Sequence, residues 1–87
     1  MEIKYHKRFL KNYRKRIASN TKLTAQVEER LEKFKENPED PILKDHKLTG
    51  EMSEYRAFSV RGDLRIVYKI IGNEIWLYDI GSHNQVY

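Results

Sequence analysis

His46, Arg65 and His83 are the residues of this 87-residue chain whose types fit a reaction. An imidazole takes up or releases a proton near neutral pH, and a guanidinium offers an anion a rigid fork of donors. Two imidazoles and one guanidinium suit phosphodiester cleavage without a metal. One group deprotonates the nucleophile, one protonates the leaving oxygen, and the cation steadies the phosphate. In RNA the nucleophile is the substrate's own 2′-hydroxyl, so the protein need supply none. Lys44, Asp45, Lys47, Arg56, Arg61, Asp63 and Tyr87 complete the polar candidates. Singly, each also has a structural reading. Asp63 suits a turn after Gly62, Lys47 and Arg61 a solvated surface, His46 a loop cap, and Tyr87 a chain end. His6, at a helix start, is assigned to structure.

Several chemistries are excluded. The three histidines are 40 and 37 residues apart and no cysteine supplements them, so no metal-ligand set is expected. There is no phosphate-binding loop and no glycine-rich dinucleotide loop, so no cofactor is expected either. The absence of cysteine favours a reducing, cytoplasmic setting. No apolar run suits a secretory signal or a membrane helix, so no membrane partner is expected.

The elements that position these residues follow from periodicity. Residues 55–60, 64–71 and 75–80 are rich in Val, Ile, Tyr, Phe and Trp, with Arg61-Gly62-Asp63 and Gly72-Asn73 between them. They read as three antiparallel strands joined by tight turns. On the middle strand Leu64, Ile66, Tyr68 and Ile70 form the expected core face, and Arg65, Val67 and Lys69 the open one. Ile75 and Leu77 continue the core face, with Trp76 and Tyr78 opposite. Glu2 to Tyr5 is a further short strand. Phe9, Leu10, Tyr13 and Ile17 then fall at helical spacing, as do Leu23, Val27, Leu31 and Phe34. Ser19-Asn20-Thr21 offers caps between the two helices, and Asn37-Pro38 ends the second. Pro38 to Gly50 reads as a connector and loop anchored by Leu43 and Leu48. The expectation is one α+β domain over 1–87, β-α-α-β-β-β, with a helical hairpin on one face of an antiparallel sheet and the other face free.

Charge is segregated along the chain. Residues 1–22 carry eight Lys and Arg against one acid, and residues 23–40 carry six acids against three bases, within a net charge of +4. A basic first helix attracts polyanions. Lys7, Lys11, Arg14 and Lys15 on it, with Lys44, Lys47, Arg56 and Arg61, are the expected RNA-binding cations.

The succession Lys44-Asp-His-Lys-Leu-Thr-Gly50, Tyr55-Arg56, Asp63-Leu-Arg-Ile-Val-Tyr-Lys69 and Asp79-Ile-Gly-Ser-His-Asn-Gln-Val-Tyr87 resembles the RelE/ParE superfamily of toxins, most closely its YafQ-like branch of messenger-RNA endonucleases. The Leu-Arg-Ile-Val-Tyr strand and the Gly-Ser-His-x-x-x-Tyr ending are specific as a pair. The resemblance implies catalytic roles for His46, Asp63, Arg65 and His83, with Tyr87 stacking on a base of the codon. It departs at Ser59, where the branch has another histidine. It further implies cleavage of messenger RNA in the ribosomal decoding site and inhibition by a cognate antitoxin. Two other readings share the fold: a poison of DNA gyrase like ParE, and a non-catalytic RNA- or ribosome-binding module. Protein synthesis arrest against DNA damage on induction separates the first of these from the endonuclease.

Overall fold

The computed structural model describes residues 2–87. In chain order the elements are β1 (Glu2–Tyr5), α1 (Lys7–Arg16), α2 (Thr21–Glu36), a 3-10 turn at Pro41–Leu43, β2 (His46–Lys47), a second such turn at Gly50–Met52, β3 (Arg56–Arg61), β4 (Leu64–Ile71), β5 (Glu74–Gly81) and α3 (His83–Val86). They build one five-stranded sheet in the order β1-β5-β4-β3-β2. The mixed α+β architecture and the helical hairpin are as the sequence indicates.

The helices begin and end on chemistry visible in the residues. His6 Nδ1 accepts from the Arg8 amide at 3.0 Å and caps α1, the structural role expected of it. The Asn20 side chain accepts from the Leu23 amide at 3.0 Å and caps α2; Asn37, the residue before proline, ends it.

Phe9 from α1, Ile17 at its C-cap, and Val27 and Phe34 from α2 bury against Phe58, Ile66, Tyr68, Leu77 and Ile80 of the sheet. Phe34 stacks on Phe58 at 4.5 Å and meets the edge of Tyr68 at 4.9 Å. Burial of these rings and of the aliphatic side chains around them drives the closing of the layer.

Three features depart from the expectation. The strands β2 to β5 pair antiparallel, but β1 pairs parallel with β5, Ile3 opposite Ile75 and Tyr5 opposite Leu77. The helical hairpin intervenes between β1 and the meander, which is the kind of crossover that a parallel neighbour requires. The second face is also not free. Ala57 and Val67 bury there under Leu48 and Val86, with Met52, Tyr55 and Tyr78 around them. Residues 83–86, which carried no periodicity long enough to register, fold into a single helical turn that makes this small second core. Ile70 lies 47% exposed near the hairpin tip, outside the core it was expected to join.

A bulge between Val67 and Tyr68 inserts Tyr78 as an extra residue in β5, so Val67 faces Asp79 while Tyr68 faces Leu77. Gly81 closes the strand against α1 and α3. A Cβ added there would stand 2.7 Å from both Arg16 Nη1 and Gln85 Oε1, so a side chain at this position would displace the ends of those two side chains.

Candidate active site

The sheet brings four of the five expected catalytic residues into one connected group. Gly62, at φ +48°, makes the β3–β4 turn and sets Asp63 at its exit. Asp63 Oδ1 accepts from Arg65 Nη2 at 3.3 Å, and its Oδ2 accepts from the His83 amide at 3.3 Å. The same carboxylate therefore fixes the guanidinium and the start of α3. Ser82 and Gln85 close a reciprocal capping box on that turn of helix, which sets the direction in which His83 leaves β5. The His83 ring lies 4.6 Å from Tyr87, edge to face. The Arg65 guanidinium sits 5.5 Å over the Tyr87 ring.

His46 joins this group across a cleft of about 490 Å³ lined by His46, Lys47, Leu48, Thr49, Met52, His83 and Tyr87. The sequence predicts a loop over residues 42–50. The structure makes His46 and Lys47 a two-residue edge strand, with His46 opposite Ala57 and Lys47 opposite Arg56. His46 Nδ1 lies 3.0 Å from the Lys44 carbonyl. Ser59 faces Arg65 in the β3–β4 ladder, so a hydroxyl rather than a third imidazole stands beside the guanidinium.

The remaining expected cations are dispersed. Arg56 Nε donates to Asp45 Oδ1 at 2.8 Å. Arg61 reaches Gln26 of α2 at 3.3 Å. Lys44 adopts a left-handed backbone at φ 50°. Lys7, Lys11, Arg14 and Lys15 are exposed along α1. A groove of about 650 Å³ connects that helix to the site, with Lys15 and Arg16 on one side and Arg61, Asp63, Ser82 and Gln85 on the other.

Two polar clusters lie behind the site, and the sequence does not foretell either grouping, although Asp45 and Arg56 are among its polar candidates. Asp79, 0% exposed, takes Asn12 Nδ2 at 2.7 Å, Arg8 Nε at 3.3 Å and Arg16 Nη1 at 3.4 Å. Residues 8, 12 and 16 recur every four positions, and that polar stripe beside the apolar one was the available signal. The second cluster joins Asp45, Arg56 and the Tyr68 hydroxyl, which donates to Asp45 Oδ2. Tyr68 carried only its apolar reading, because its ring belongs to the core and its hydroxyl does not.

Burial first, and then the bond to Asp45, push the Tyr68 phenol well above its ordinary value of 10. The folded chain thus holds this proton more tightly than the unfolded one. The stability involved is complete below pH 10 and is lost as pH rises towards the folded value. Urea midpoints should fall more steeply above pH 10 in the native chain than in Tyr68→Phe. Parallel slopes would show that the phenol does not carry this linkage.

Among the described residues no group of three His, Cys, Asp or Glu is placed to hold a metal ion. No helix among them is long and apolar enough to cross a membrane.

Comparison with known proteins gives one family and a set of folds. The family described as "Bacterial toxin of type II toxin-antitoxin system, YafQ" matches residues 1–87. A copper-bound mutant toxin from Helicobacter pylori is similar at 26% identity and TM-score 0.80, over 100% of this chain and 99% of that one. YafQ from E. coli strain BL21(DE3) is similar at 21% identity and TM-score 0.78, over 99% of this chain and 97% of that one. So is the toxin chain of an E. coli DinJ–YafQ complex, at 21% identity and TM-score 0.74, with 99% and 97% covered. No curated protein matches the chain.

Proposed function

Because the chain belongs to the YafQ family of bacterial type II toxin–antitoxin toxins, we propose that it is an endoribonuclease that cuts messenger RNA on the ribosome. One observation carries this reading: His46 and His83 line one cleft with Tyr87, and Arg65 adjoins it through the Tyr87 ring. One imidazole takes the proton of the 2′-hydroxyl, whose oxygen attacks the adjacent phosphorus. Arg65 balances the charge that gathers on the non-bridging oxygens. The other imidazole gives a proton to the departing 5′-oxygen. The bond formed is 2′-O–P and the bond broken is P–O5′. The products are a 2′,3′-cyclic phosphate and a 5′-hydroxyl. Asp63 holds Arg65 and the His83 backbone in register. Tyr87, 42% exposed, offers a ring face for one base.

Messages translated in a cell-free system with the protein should be cut within codons, and the fragments should carry those ends. Fragments with 5′-phosphates would sink the mechanism. The chain's own groups suffice for the proton transfers, although a Helicobacter relative is described as copper-bound. Cleavage should therefore persist when transition metals are chelated in a Mg²⁺ buffer that keeps ribosomes whole. Loss of cleavage there would reverse the metal-free assignment.

The basic helix supplies affinity rather than chemistry. Lys7, Lys11, Arg14 and Lys15 would neutralise ribosomal RNA phosphates, with Lys44, Lys47, Arg56 and Arg61 nearer the message. Replacing the four helix residues with Gln should lower the salt slope of ribosome binding by roughly 0.7–0.9 per lost contact. The cut should stay at the same place in the codon. Co-sedimentation over a salt series reads the slope, and an unchanged slope would return α1 to a solvated role. The described partner of the similar E. coli toxin, DinJ, implies a cognate antitoxin for this chain. A toxin that acts on ribosomes would act in the cytoplasm.

A further inference from the structure

Lys44 is the one non-glycine residue with a left-handed backbone among those described, at φ 50°. That conformation is unfavourable in an L-residue and persists only where its surroundings hold it. Here the surroundings are specific. Asp45, the next residue, has a side chain only 9% exposed. Its carboxylate is gripped on one oxygen by Arg56 Nε at 2.8 Å and on the other by the Tyr68 hydroxyl. Tyr68 is 3% exposed and wedged against Phe34 and Phe58, so this grip is anchored in the main core.

The consequence falls on His46. With Asp45 fixed, the Lys44 carbonyl turns back to within 3.0 Å of His46 Nδ1. A carbonyl oxygen has no proton to give, so Nδ1 must carry the hydrogen and donate it. A neutral imidazole has one N–H, which leaves the lone pair on Nε2. We propose that Asp45, held by Tyr68 and Arg56, is a positioning residue that fixes His46 in the Nδ1-protonated form and makes its Nε2 the proton acceptor of the cleft.

The role of His46 towards the substrate rests on the endonuclease reading above; its tautomer does not. In the reaction the 2′-hydroxyl proton passes to Nε2, giving an imidazolium as the 2′-O–P bond forms. His83 is then the group that returns a proton to the 5′-oxygen as the P–O5′ bond breaks. Each transfer moves one proton, so the pair ends with its roles exchanged and solvent restores it.

Long-range ¹H–¹⁵N correlation on the whole labelled chain reads the tautomer of neutral His46 directly. The native protein should show Nδ1–H with an unprotonated Nε2. Tyr68→Phe keeps the ring in the core, and Asp45→Asn keeps the size of the side chain; each should yield a mixture of tautomers. The single-turnover rate on ribosome-bound message should fall roughly 10- to 100-fold in both, with KM unchanged, and Arg56→Lys should lie between them and the native chain. Lys44→Gly and Lys44→Val both lose the ammonium, so a slower valine variant reports the left-handed backbone alone. An Nε2–H tautomer in the native chain would overturn the proposal. So would Tyr68→Phe and Asp45→Asn variants with the native tautomer and the native rate. A native chain with the expected tautomer, and its loss in the variants, but no cleavage would overturn the endonuclease reading while supporting the positioning of His46.

Discussion

His83→Ala should reduce the rate of message cleavage by roughly 10²–10⁴-fold, the range for removing a positioned acid or base. Arg65→Ala should lose about 10²–10³-fold, the range for removing one donor to a developing anion. Both losses should appear in folded protein. His83 is exposed on a turn of helix, and α3 is held from the other side by Val86 in the second core. Arg65 spends its contacts on Asp63 and the Tyr87 ring rather than on the apolar layer. Near-ultraviolet circular dichroism and antitoxin binding should therefore match the native chain. Arg65→Lys restores the charge without the fork of donors and should recover only part of the rate. Rates are read by single turnover on ribosomes carrying a defined message. If either alanine variant cuts at the native rate, the site is misplaced. A loss in His83→Ala that is rescued by saturating protein would point to binding instead of proton transfer.

The parts legible in the sequence were those written by periodicity or by local rules. The stripes Phe9–Tyr13–Ile17 and Val27–Leu31–Phe34 recur at helical spacing, Asn20 and Asn37-Pro38 mark helix ends, and Gly62 and Gly72 mark turns. Parity along β4 separated Ile66 and Tyr68 from Arg65. It failed at Val67, which the reading left on an open face, because α3 spans only four residues and leaves no periodic trace of its cover. The gathering of His46 with His83 is likewise nonlocal. Thirty-seven residues separate them, and what joins them is a strand of two residues whose existence depends on the pairing of β3. The bond between Asp45, a named candidate, and Tyr68 was not legible for a related reason. A tyrosine at a core position reads as apolar, and only the tertiary fold reveals where its hydroxyl ends. Asp79 enters the sequence analysis only as the first residue of the ending that carries the resemblance. Its burial follows from three donors on a helix more than sixty residues away.

That buried carboxylate leads to the largest expected effect on stability. Asp79→Ala should cost about 3–5 kcal/mol, because removing one partner of a buried ionic cluster strands the others. Asn12 is itself buried, and the Arg16 side chain is only 20% exposed. The Ile80 amide, which donates to Asp79 Oδ1 at 2.8 Å, would lose its acceptor too. Asp79→Asn keeps the Oδ1 acceptor for Asn12, Arg16 and Ile80 and turns an NH₂ towards Arg8 alone, so its loss should be smaller. A small loss in Asp79→Asn beside a large one in Asp79→Ala identifies hydrogen bonding and shape as the larger part, whereas nearly equal losses identify the charge. Arg16 donates to the Ile80 carbonyl at 2.8 Å and stands where a Gly81 side chain would be. Gly81 and Ser82 lead directly into His83. Loosening Asp79 should therefore release the turn that carries His83 before the whole chain unfolds. Asp79→Asn should then lose activity at a denaturant concentration where its helices remain folded, which far-ultraviolet circular dichroism and cleavage can measure on the same samples. Equilibrium urea unfolding gives the stability difference. A loss below about 1 kcal/mol for Asp79→Ala would mean that the cluster is worth no more than an exposed pair, and that α1 is held to β5 by its apolar stripe alone.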